Sequence, residues 1–213
     1  MPSDHLVNRL VNDLKPVHRR SAAGDAAMLA LAGAVELALF LGLGFMRPDM
    51  PMAMQQPSFW WKLGSLGVIA LVGGAVAVLS FDPTVSPRRG LRWLVALVAL
   101  CLAAGWFVDA ARAGLPALFE RLHWRDGLGC VAKMAALSVP AVIGLGLLMR
   151  RGAATDAGRT ALASGIAAAA WGAFVFVFAC PFNDPFYIAV WYAVGCGLVT
   201  GFARLALPRL ARW

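Results

Sequence analysis

The sequence predicts an all-α integral membrane protein: a six-transmembrane-helix bundle with both termini in the cytoplasm and a short amphipathic helix at its N-terminus. Three observations predict it. Hydrophobic residues fill 61% of the 213 positions and charged residues only 14%, against about 45–50% and about 25% in a soluble domain. The apolar residues gather into six long runs, and the basic residues gather between alternate runs. A chain of this size has too little interior to hide so much apolar surface from water. That excludes a soluble monomeric enzyme, and a disordered tail protein as well.

The chain divides into a cytoplasmic segment, residues 1–24, and a transmembrane domain, residues 25–213. In the first, Leu6, Val7, Leu10, Val11 and Leu14 recur at helical spacing, with Asn8, Arg9, Asn12 and Asp13 between them. This is an amphipathic helix with one apolar stripe. Ser3 is a candidate N-cap, and Pro16 ends the helix. A helix this short is marginal alone and must bury its stripe on something. The membrane surface is one such place; a groove on a cytoplasmic protein is the other. The first 23 residues show no apolar stretch and no small-residue cleavage site, so the first span is expected to direct insertion itself.

The six expected spans are residues 26–46, broken only by Glu36; 63–81, free of charge; 93–109, closing on Asp109; 128–149, with Lys133 near its start; 160–182; and 186–203. At about 1.5 Å per residue each run crosses about 30 Å of hydrocarbon. The runs are apolar on all sides, which makes them helices rather than barrel strands. Trp60, Trp61, Trp93, Trp106 and Trp191 lie near their ends, where indoles prefer to sit.

Orientation follows from the basic residues. Arg9, Lys15, Arg19 and Arg20 precede the first span. Arg88, Arg89 and Arg92 follow the second, Arg150, Arg151 and Arg159 follow the fourth, and Arg204, Arg209 and Arg212 follow the sixth. The other side has Arg47, Lys62, Arg112, Arg121 and Arg125. The richer side is cytoplasmic. The net charge of +8 is then a property of these loops and calls for no nucleic-acid partner.

That topology sorts the four cysteines. Cys101 and Cys196 fall within spans and are small buried hydrophobes. Cys130 opens the fourth span and Cys180 closes the fifth, so both lie at the outer level. In a bacterial periplasm thiols are oxidised readily. The two form a disulfide if their Cα atoms come within about 7 Å. A neighbouring cation such as Lys133 favours the reactive thiolate. Together with His123, Asp126 or Asp184 the pair is a candidate metal site, though no fixed ligand spacing marks it. Two inert packed thiols are the remaining possibility. The segment CPFNDPFYIAVWY brackets a turn with Pro181 and Pro185. Pro140 is a candidate kink in the fourth span.

Glu36 lies well inside the first span. An intramembrane carboxylate is a functional candidate by default, suited to proton coupling in a small transporter; the alternative is a packing role against a neighbouring helix. Lys133 is shallow and can reach the outer interface. No GxSxG, HExxH, GxxxxGK[ST] or dinucleotide glycine motif occurs, so neither an enzyme nor a cofactor is expected.

Three stretches carry a resemblance: LVNRLVNDLKPVHRR, GCVAKMAALSVPAVIGLGLLMRRGA and CPFNDPFYIAVWYAVG. With six spans they resemble the NrsF-type membrane anti-sigma factors over nearly the whole chain. The resemblance implies a protein that holds an extracytoplasmic-function sigma factor at the bacterial inner membrane, without touching nucleic acid itself. The family's paired outer cysteines match Cys130 and Cys180, and the resemblance ties them to sensing of a heavy metal or an oxidant. Its cytoplasmic stretch matches residues 3–20, which makes Leu6, Leu10, Asp13, Leu14 and Pro16 the expected sigma-binding residues. A transporter built on Glu36 and Lys133 is the competing reading, and it predicts flux instead of sigma capture.

Overall fold

The computed structural model describes residue 11, residues 20–110 and residues 120–211. Among these residues there are seven α-helices and no strand. They are α1 (Ala22–Gly42), α2 (Met50–Ala53), α3 (Pro57–Ser80), α4 (Pro87–Ala110), α5 (Trp124–Arg151), α6 (Ala157–Phe176) and α7 (Pro185–Leu210), with a 3-10 turn at Glu120–Leu122 before α5. The expected sigma-binding residues Leu6, Leu10, Asp13, Leu14 and Pro16 lie outside the described residues.

Local chemistry sets the helix ends. Ser21 caps α1, its hydroxyl accepting from the Gly24 amide at 3.3 Å. Asp156 caps α6 by accepting from the Arg159 amide at 3.0 Å. Asp184 caps α7 by accepting from the amides of Phe186 and Tyr187. Each side-chain oxygen satisfies a donor that the first helical turn leaves without a partner. Prolines stand in the first turn of α2, α3 and α7, where the missing N–H costs nothing. Past α1 the chain turns at Gly44, whose φ of 79° lies in the left-handed region.

Helix α6 is the centre of the bundle, packed against α3, α5 and α7. Its sequence, AGRTALASGIAAAAWGAFVF, is built of small residues. A Cβ placed on Gly172 would lie 2.2 Å from the Ser138 hydroxyl and 2.5 Å from its backbone nitrogen. One on Gly165 would lie 3.0 Å from the Thr200 Cα. Small residues let the backbones approach, and that close van der Waals packing holds helices together where solvent offers no hydrophobic drive.

Helix α1 sits at the edge, with no residue of its own buried. Leu31, Val35 and Leu39 are exposed, as suits a helix bathed in lipid. Its tie to the centre is Glu36, whose Oε2 accepts from the Trp171 indole N–H at 2.9 Å. The Trp171 ring also presses on Gly33. We expect Trp171→Phe to lower stability by about 1–3 kcal/mol, because it leaves a half-buried carboxylate without its donor. Glu36→Gln should stay within about 1 kcal/mol, because the amide oxygen still accepts. Thermal unfolding of both variants in detergent checks this.

Five helices, α1, α3, α5, α6 and α7, are long and apolar enough to cross a membrane. Helix α4 is the sixth long helix. It begins before the expected span and takes Arg88, Arg89 and Arg92 into its first turns, and it is not among those five. Two other boundaries differ from expectation. Helix α1 ends at Gly42 rather than continuing to 46. Helix α6 ends at Phe176, so Cys180 lies in a connector and not in a helix. Helix α5 continues on both sides of Pro140.

Candidate functional site

Cys130 and Cys180 meet inside the bundle. Cys130 projects from the second turn of α5, and Cys180 comes from the connector between α6 and α7. Both are buried, both belong to one core cluster, and neither is in a disulfide. The two thiols lie within electrostatic reach of one another. The Cys130 sulfur is also 3.4 Å from the Tyr187 hydroxyl.

The connector is pinned from two sides by buried cations. Arg47, from the segment after α1, donates from Nη1 to the Cys180 carbonyl at 2.7 Å and to Asn183 Oδ1 at 3.0 Å. Its backbone amide donates to the Phe178 carbonyl at 2.9 Å. Its Nε and Nη2 pair with the two Asp49 oxygens at 2.7 and 2.6 Å. These hydrogen bonds hold the Asp49 carboxyl below the usual carboxylate range. Lys62, from the first turns of α3, donates from Nζ to the Phe182 carbonyl at 3.2 Å. The Cys180 thiol reaches the same carbonyl at 3.8 Å, so ammonium and sulfur converge on one oxygen. They also lie within electrostatic reach of each other. The ammonium lies 5.7 Å from the Tyr192 ring centroid, a cation–π distance.

Aromatic side chains wall the cluster. Phe182 stacks on Tyr187 with centroids 4.2 Å apart. Trp191 donates its indole N–H to the Leu122 carbonyl at 2.7 Å and closes on Gly127. The Tyr192 hydroxyl is buried facing Cys180 without a well-formed hydrogen bond. A cavity of about 280 Å³ between α3, α4 and α7 reaches Lys62 and Tyr192 from the apolar side.

The expected residues fare differently. Cys130 and Cys180 come together. Lys133 is exposed on α5, while the cation inside the cluster is Lys62. His123 has φ of 37°, and its Nδ1 lies 2.9 Å from the Arg121 carbonyl oxygen. Asp184 pairs with Arg121 as well as capping α7. Among the described residues no three His, Cys, Asp or Glu side chains gather as metal ligands. Glu36 bonds to Trp171, apart from the thiols. Sequence reasoning passed over Lys62, Arg47, Tyr187 and Tyr192. One signal was available for the tyrosines: the chain has only two, both just after Cys180.

Chemically this is a buried dithiol whose sulfurs sit near a cation and two phenols. A thiol next to a cation is disposed to act as thiolate, the form that attacks oxidants and disulfides. Fold and site together define a helical bundle of membrane-spanning character with a buried dithiol at one end. The chain belongs to the NrsF family: the profile described as negative regulator of sigma F matches residues 10–213. It is similar to the anti-sigma-F factor NrsF of Caulobacter vibrioides, 29% identical over 216 residues that cover 98% of this chain and 100% of that protein. It is also similar to the probable anti-sigma-F factor NrsF of Azospira oryzae, 27% identical over 220 residues and 100% of both chains. No solved structure matches it.

Proposed function

We propose that this protein is an anti-sigma factor of the bacterial inner membrane that sequesters an extracytoplasmic-function sigma factor, and that oxidation of Cys130 and Cys180 to a disulfide releases it. The observation that carries the sensor half is the adjacency of the two thiols. A bond between them would lock α5 to the α6–α7 connector. In this reading six helices cross the membrane, α4 included, both termini are cytoplasmic, and the dithiol faces the oxidising side. The bias of basic residues supports that orientation. The thiol pair is read as a redox couple rather than a metal site, because the described residues offer it no third donor.

The sigma-binding half rests on family membership and on the N-terminal stripe. In this reading Leu6, Leu10 and Leu14 are the stripe that docks in an apolar groove of the sigma factor, Asp13 faces its basic surface, and Pro16 closes the expected helix. The two functions couple only if the disulfide changes the free energy of the sigma-bound and sigma-free forms by different amounts. A charge in the middle of the Leu6/Leu10/Leu14 stripe should abolish docking. We therefore expect Leu10→Asp to lose at least tenfold in capture of the sigma factor by the detergent-solubilised protein, measured by co-purification. Undiminished capture would move the contact to the other cytoplasmic segments. Flux through proteoliposomes that is lost in Glu36→Gln would favour a transporter instead.

A further inference from the structure

Lys62 is a buried cation with no carboxylate of the described residues paired to it. It is 1% exposed, and among the described residues it makes no ion pair with Asp or Glu. A buried charge needs a partner. The groups around it can be named element by element. The segment after α1 brings Arg47, itself a cation. Helix α5 brings Cys130, the connector brings Cys180, and α7 brings Tyr187 and Tyr192. Helix α6 packs Ala173 and Phe176 against the cluster, neither of them titratable. Farther out lie Lys133 and Asp126 on α5 and Cys196 on α7. Of all these, the Cys180 sulfur is the acidic group that meets the ammonium on a shared acceptor, the Phe182 carbonyl.

We propose that Lys62 is the counter-charge of this dithiol: its ammonium holds Cys180 as the attacking thiolate and gives up a proton when the disulfide with Cys130 forms. The proposal rests on the sensor reading above for its biological purpose, but not for its chemistry. With an oxidant of the peroxide class the step balances. The Cys180 thiolate attacks the O–O bond, a sulfenic acid forms, and hydroxide leaves. Hydroxide takes a proton from the Lys62 ammonium and becomes water. The Cys130 sulfur then attacks the sulfenic sulfur. The S–S bond forms, the S–O bond breaks, and the Cys130 proton leaves with the hydroxyl as a second water. Two sulfurs are oxidised, the peroxide is reduced by two electrons, and Lys62 ends neutral. No unpaired charge is then left in the buried site. The cavity that reaches Lys62 and Tyr192 gives a small neutral molecule a way in.

The test is the pH dependence of Cys180 alkylation by iodoacetamide in full-length detergent-solubilised protein, with Cys130→Ser present to isolate one sulfur. Mass spectrometry of the Cys180 peptide gives the rate at each pH. A change in access alters the rate at every pH alike, whereas a lost counter-charge moves the midpoint. Lys62→Met should raise the midpoint by at least about one unit, a tenfold loss of thiolate at any pH below both midpoints. Lys62→Arg keeps the charge and should keep the midpoint low; Lys62→Gln replaces Lys62→Met if the latter does not fold. A midpoint unchanged in Lys62→Met, or raised equally in Lys62→Arg, overturns the proposal. No sigma factor enters this measurement. A shifted midpoint with no oxidant-driven sigma release would therefore refute the sensor reading and leave the Lys62 assignment standing.

Discussion

Gly172→Val should yield no folded protein. Gly172 lies where the central helix α6 touches α5, and a Cβ there would lie 2.5 Å from the Ser138 nitrogen and 2.7 Å from its Cα. The obstacle is backbone, so no side-chain rotation relieves it. Moving α5 outward would also separate Gly127 from Trp191 and pull Cys130 from Cys180. Overpacking a well-filled core costs about 1–3 kcal/mol when side chains can give way. Gly172→Ala should reach the top of that range, and Gly172→Val should exceed it, because its branched side chain demands a wider separation of the helices. Recovery of monodisperse protein and its thermal transition in detergent measure both. A Gly172→Val protein that melts like the wild type would mean that α6 does not pack on α5 as described.

Cys130→Ser and Cys180→Ser should each abolish induction by oxidant while leaving repression intact. A disulfide needs both sulfurs, so either substitution returns a sigma-dependent reporter to its uninduced level. Serine is smaller than cysteine and keeps a hydrogen-bonding hydroxyl, so the buried cluster should survive. Cys101→Ser and Cys196→Ser are the contrast. The Cys196 thiol donates to the Ala169 carbonyl, at 3.7 Å, and the Cys101 carbonyl, not its sulfur, accepts from Trp61. Both variants should induce like the wild type. Induction surviving in Cys180→Ser would remove the dithiol from the mechanism.

The sequence made the long helices plain, because their hydrophobic runs are continuous and charge-poor. It also placed Cys130 and Cys180 at one level, since each stands at the edge of a run. Their contact was not legible, because nothing local fixes which helices neighbour which. Lys62 shows the same limit from the other side. Read along the chain, it is one cation after two tryptophans, indistinguishable from a solvated loop residue. Only the packing of α3 against the connector makes it a buried partner of a thiol. Lys133 was the nearer cation in sequence, but helical rotation turns it outward. The ends of α1 and α6 were overrun because apolar residues continue past them. In each case a turn wins: Gly44 after α1, and the segment through Pro181 after α6. The central role of α6 was half visible, in its run of Ala and Gly, a composition that lets helices pack closely but names no partner.

The most direct test of the account follows one sample through both of its claims. Membranes carrying the full-length protein and its sigma factor are treated with graded peroxide. Mass spectrometry then measures the fraction of Cys130 joined to Cys180, and co-purification measures the fraction of sigma factor still bound. The account predicts that bound sigma factor falls in step with the disulfide and returns on reduction. Sigma factor that stays bound when the Cys130–Cys180 disulfide is complete would contradict it.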